Sequence, residues 1–114
     1  MKVSEIAKII NGKVLAGEGL LDKEITTACG SDMMSDVLAF AMDQGALLTG
    51  LVNPQVVRTA LMMDMCCVIF VRGKMPTREI LQLAEDSKIA VLVTDVGMFE
   101  TCGKLYMAGL GKLP

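Results

Sequence analysis

Histidine and tryptophan are absent from this 114-residue sequence, and the aromatic side chains amount to one tyrosine and three phenylalanines. Without histidine there is no Ser-His-Asp or Cys-His nucleophile arrangement and no HExxH zinc site. The shortage of aromatics removes base stacking as a route to nucleic acid. A net charge of −2 with interspersed signs removes the basic stripe that phosphate backbones require. Long apolar runs are missing too. The longest charge-free stretch, Gln44 to Val57, is broken by Gly45, Gly50, Asn53 and Pro54, whereas a spanning helix needs about 18 consecutive apolar residues. The start, Met1-Lys2-Val3-Ser4-Glu5, lacks the apolar core of a secretory signal. The expected location is therefore cytoplasmic, with neither membrane nor nucleic acid as a partner.

The four cysteines, Cys29, Cys66, Cys67 and Cys102, contain no CxxC pair. Metal sites usually draw on closely spaced ligand pairs, so no metal and no cofactor are expected. The thiols read as reduced, small hydrophobic groups. A phosphate-binding P-loop needs a glycine five positions before a Gly-Lys pair, a spacing that wraps backbone amides around the phosphates. The Gly-Lys pairs begin at Gly12, Gly73, Gly103 and Gly111, and five positions earlier stand Ala7, Val68, Met98 and Tyr106. None qualifies, and no GxGxxG follows a strand.

What is present is hydrophobicity: 53% of residues are apolar and the mean hydropathy is +0.53. The length suits one domain spanning 1–114. A domain this small has too little interior for so many apolar side chains. The surplus predicts an exposed patch and self-association, a homodimer being the simplest case. The Met-rich segment Leu61-Met62-Met63-Asp64-Met65 is a candidate contributor, although Met also fills cores.

The pattern predicts a helix over Ser4 to Ile10, capped by Ser4 and stopped by Asn11-Gly12, then a short segment compatible with extended backbone at Lys13 to Ala16 and a turn at Gly17-Glu18-Gly19. Strands are expected at Glu24–Cys29, Ala46–Gly50, Cys66–Val71 and Ala90–Thr94. Helices are expected from Met33 to about Met42, from Pro54 to Met63, after Pro76, and from Val96 to about Met107. The second helix would share Met34, Val37, Leu38 and Ala41 on one face. The one after Pro76 would turn Ile80, Leu83 and Ala84 inward, and the last would place Phe99, Cys102, Gly103 and Tyr106 on one face. Apolar strands alternating with amphipathic helices predict an α/β fold, a mostly parallel sheet in three α/β/α layers with right-handed crossovers.

Such sheets bind ligands outside the carboxyl ends of their strands. Those ends carry Gly30-Ser31-Asp32, Thr49-Gly50, Arg72-Gly73 and Thr94-Asp95. The candidate ligand-binding residues are thus Ser31, Asp32, Thr49, Gly50, Arg72, Gly73, Thr94 and Asp95. Arg72 could grip a phosphate or carboxylate in two places, Gly73 would let the backbone approach, the helix near Pro76 would add amide dipoles, and Thr94 and Asp95 could hold a hydroxyl. The plainer alternative is that glycines end strands and Ser, Thr and Asp cap helices with or without a ligand. No catalytic residue is assigned. Lys74, near the same lip, reads as solvated charge.

The stretches DKEITTACGSDMMSDVLAF (Asp22 to Phe40), VIFVRGKMP (Val68 to Pro76) and VLVTDVGMFETCGKLY (Val91 to Tyr106) resemble the DRTGG domain family. That family is similar in fold to the N-terminal domain of HPr kinase/phosphorylase. It occurs alone, beside phosphotransacetylase catalytic domains, or among CBS domains in regulated pyrophosphatases. The resemblance implies a stand-alone, non-catalytic regulatory or ligand-sensing module, dimeric, binding a nucleotide, a phosphorylated metabolite or a partner enzyme. A purely structural dimerising accessory protein and an unrecognised enzyme stay open as alternatives. The sequence departs from the family where Gly-Asp-Arg is common, reading Leu51-Val52-Asn53-Pro54. It departs again where Thr-Gly-Gly precedes a proline, reading Val71-Arg72-Gly73 before Pro76.

Overall fold

Four short, wholly apolar or small-residue strands and their intervening helices set the frame. The computed structural model describes residues 1–111. Helix α1 (Val3–Ile9) is followed by strand β1 (Lys13–Ala16), a 3-10 turn at Glu18–Leu20, β2 (Thr27–Gly30), α2 (Met34–Phe40), β3 (Gly45–Thr49), α3 (Pro54–Met62), β4 (Cys67–Phe70), α4 (Arg78–Asp86), β5 (Ala90–Val93) and α5 (Met98–Met107). The sheet order is β1-β5-β4-β3-β2. Strands β2 to β5 pair in parallel, and β1 runs antiparallel to β5, with Lys13 opposite Val93.

Every residue of β3, β4 and β5 is buried, which is the signature of a sheet covered on both faces. Alternate residues feed two cores. Val68, Phe70, Val91 and Val93 pack with Val37 of α2, Val56, Val57 and Ala60 of α3, and Ile80 and Ala84 of α4. Cys67, Ile69, Ala90 and Leu92 pack on the other side with Val3, Ile6 and Ile10 around α1 and with Leu105 of α5. Consecutive parallel strands joined by crossovers of one hand must put their helices on one face, which explains why α2, α3 and α4 lie together. Among the described residues no helix is long and apolar enough to cross a membrane.

Several local expectations are corrected. Ser4 lies within α1 rather than capping it, and the Glu5 carboxylate accepts the Lys2 N–H at 2.9 Å. Glu24 and Ile25 do not belong to β2. They pair with the N-terminus, Glu24 bridging Lys2 and the Ile25 N–H donating to the Met1 carbonyl at 2.7 Å. Pro76 does not open α4, which starts at Arg78 because the Thr77 hydroxyl caps it by accepting the Ile80 N–H. Helix α5 starts at Met98 rather than Val96. Leu38 is exposed, leaving Val37 as the buried residue of α2. In the Met-rich segment, Met65 belongs to the core and Met63 is half-buried, and of its apolar residues Leu61 and Met62 are the ones open to solvent. In α5 it is Thr101 and Leu105 that face the sheet, while Phe99 and Tyr106 point outward.

Candidate functional site

The carboxyl ends of β2, β3, β4 and β5 are neighbours along one rim because the strands are laid down in order. Ser31 extends the β2–β3 pairing by donating its N–H to Leu48, and its hydroxyl accepts the Met33 N–H at 3.0 Å, turning the chain toward α2. Asp32 then ties three strand ends together. One carboxylate oxygen accepts the Gly50 N–H at 2.7 Å and the Thr49 hydroxyl at 3.0 Å, while the other lies 3.8 Å from the Arg72 guanidinium. Its carboxyl is held below the usual aspartate range, chiefly by the Gly50 amide, with the Thr49 hydroxyl and Arg72 adding and burial opposing. Gly50 is where the guanidinium rests, since a Cβ there would collide with Arg72.

After β4 the backbone passes through two left-handed residues, Arg72 at φ 60° and Gly73 at φ 69°. Their N–H groups donate to Val96 and Thr94, both at 2.9 Å, binding the β4 end to the β5 end. The buried Thr94 hydroxyl donates to the Ile10 carbonyl at 2.8 Å and accepts the Val96 N–H at 3.2 Å. These amides and this hydroxyl are occupied by the protein itself. Asp95 is exposed, its carboxylate oxygen 3.2 Å from the position a Cβ on Gly73 would take.

The chain leaves β4 for α4 on one face and leaves β5 for α5 on the other. Diverging connections of this kind open a crevice at the carboxyl ends of parallel strands. A cleft of about 250 Å³ is found there, lined by Asn11, Lys13, Leu15, Gly73, Met75, Val93, Thr94 and Asp95. It unites three of the sequence-derived candidates, Gly73, Thr94 and Asp95. The others, Ser31, Asp32, Thr49, Gly50 and Arg72, gather around the Asp32 carboxylate and do not line this cleft. Lys13 and Asn11 escaped the sequence reading. They reach the rim because β1 runs antiparallel, and the direction of a lone four-residue strand leaves no local trace.

Burial pushes all four thiols up. For Cys29 the Asp36 charge adds to it, for Cys102 the Cys29 sulfur adds, and for Cys66 a nearby lysine, Lys23, partly offsets it. Cys67, wholly buried, is raised furthest. Protonated thiols are poor nucleophiles and poor metal ligands. Among the described residues no three Cys, Asp or Glu side chains converge on a point where a metal could sit.

A sequence profile of the DRTGG domain matches residues 5–108. No curated protein matches the sequence significantly. Among solved structures, the fold is similar to the CBS and DRTGG domains of the regulatory region of Clostridium perfringens pyrophosphatase, complexed with the activator diadenosine tetraphosphate. The TM-score is 0.75 at 15% identity, over 91% of this chain and 45% of that one. The chain spans less than half of that regulatory region.

Proposed function

From the premise that the chain belongs to the DRTGG domain family, we propose that it is a dimeric, non-catalytic regulatory module that binds a small anionic metabolite at the rim between β4 and β5. The observation that carries this reading is the cleft at the point where the α4 and α5 connections diverge, with Lys13 at its edge. Lys13 supplies the positive charge, and Asp95, opposite, accepts from a ligand hydroxyl. Arg72 can join an anion only by leaving Asp32, which costs little because an ion pair this exposed and this long is weak.

Size narrows the ligand. Drug-sized ligands occupy sites of about 300–1,000 Å³, so a cleft of about 250 Å³ suits a phosphorylated metabolite, or one end of a nucleotide, better than a dinucleotide. The neighbour is described as a regulatory region bound to a nucleotide activator, which supports the same class of role. Asp32, Thr49 and Arg72 hold one another and the Thr94 hydroxyl holds the Ile10 carbonyl, so Lys13 and Asp95 are the charged side chains that the cleft presents.

A thermal-shift screen of phosphorylated metabolites and mononucleotides is the test. A ligand at about a hundred times its Kd should stabilise the fold by about 2.7 kcal/mol, and Lys13→Ala should erase the shift. A shift that survives Lys13→Ala intact would place the ligand elsewhere, and Arg72→Ala reports whether the guanidinium takes part.

A further inference from the structure

The apolar stripe of α5 is turned the wrong way for a core. Phe99, Gly103 and Tyr106 stand at i, i+4 and i+7, one face of a helix, yet Phe99 is 93% exposed, Tyr106 62% and Met107 82%. Beside them lies a cleft of about 460 Å³ floored by Thr27, Ala28 and Gly30 of edge strand β2 and walled by Phe99, Cys102 and Tyr106. Gly103 is the stranger feature. A glycine inside a helix is unfavourable, and here a Cβ would meet nothing within 4 Å, so no packing among the described residues calls for it. What it permits is close approach from outside.

We propose that a second copy of this chain docks on this face, the two α5 helices crossing antiparallel over Cys102 and Gly103. The inference rests on the dimeric reading above and gives it a surface. A crossing centred there sets Phe99 of each copy against Tyr106 of the other, beside the other's cleft, which is the self-complementary exchange a two-fold interface requires. Charge agrees. Helix α5 carries Glu100 and Lys104, an i, i+4 pair at 3.4 Å, and an antiparallel crossing brings each near its opposite on the other copy. The competing apolar face, on and around α2, exposes Met33, Phe40 and Met42, but with Asp32 paired to Arg72 its remaining charges are Asp36 and Asp43, with no cation in the segment. Two copies of that face would oppose like charges. Area agrees as well. Large side chains bury about 150–250 Å² each, so Phe99, Tyr106 and Met107 offer on the order of 400–500 Å² of the roughly 800 Å² per partner that a standard interface uses. The small residues around the cleft and the β2 edge adjoin them.

Sedimentation equilibrium at micromolar concentration tests this with three variants. Wild type should give twice 12.2 kDa. Gly103→Arg, whose side chain has open space in one copy, should keep its circular dichroism and weaken the dimer by at least about thirtyfold. Phe99→Glu, at the most exposed of these positions, should do the same and serves if Gly103→Arg fails to fold. Phe40→Glu, on the α2 face, should leave the dimer intact. A folded Gly103→Arg or Phe99→Glu that stays as tightly dimeric as wild type overturns the α5 interface while leaving the dimeric reading standing. A monomeric wild type overturns both.

Discussion

Asp32 holds the ends of three strands with a single carboxylate, and its contribution should follow pH. Its folded-state pKa lies below the unfolded value, so its stabilisation is full above the unfolded pKa, about 3.9, and is lost as pH falls through the folded pKa. Asp32→Asn keeps an acceptor for Gly50 and Thr49 but cannot titrate. Urea unfolding should show wild type the more stable at pH 7 and the gap closing toward pH 3. Asp32→Ala, which strands both donors at a site open to water, should cost about 1 kcal/mol at pH 7. A second residue-scale test concerns Gly17, which adopts φ 80° and whose Cβ would lie 2.7 Å from the Ala90 backbone, while its N–H donates to Glu85. Gly17→Ala should destabilise by about 2 kcal/mol or more, the largest effect expected of any single methyl in this chain. Cys67 should resist thiol reagents until the protein unfolds. Cys67→Ala should lower stability by about 1 kcal/mol and leave ligand binding unchanged.

At the level of elements, the parallel strands were the most readable part of the chain, because strands such as Val68-Ile69-Phe70 are apolar at every position and only burial on both faces accounts for that. Helix starts were less readable. Pro76 looked like a first helical residue, but Thr77 supplies an acceptor for Ile80 and so takes the cap. Asn53 does the same for α3, its side chain accepting the Gln55 N–H at 2.8 Å. Asn53→Ala should cost about 1 kcal/mol in thermal unfolding. The α5 stripe was legible as a stripe and silent about its direction. Periodicity reports that one face is apolar, not whether the chain's own sheet or another molecule covers it. The rim residues were likewise legible from the order of strands and glycines. Their bonding was not, because the Asp32 to Thr49 and Thr94 to Ile10 contacts join residues far apart in sequence.

The whole molecule is asymmetric about its sheet, with α2, α3 and α4 on one face and α1 and α5 on the other. That division creates the cleft where β4 and β5 part company, and it leaves Phe99 and Met107 of α5 exposed on the outer side of the helix. The proposed ligand cleft and the proposed docking face share no lining residue. Variants of Lys13 and of Gly103 should therefore act independently, their effects on ligand affinity and dimer affinity adding without coupling. The direct measurement is an amide chemical-shift titration of labelled protein with the phosphorylated metabolite that gives the largest thermal shift. Saturable shifts concentrated at Asn11, Lys13, Gly73 and Asp95, and lost in Lys13→Ala, are the result expected. Saturable shifts confined to other surfaces, with those four amides unmoved, would contradict the placement of the ligand site at the β4–β5 rim.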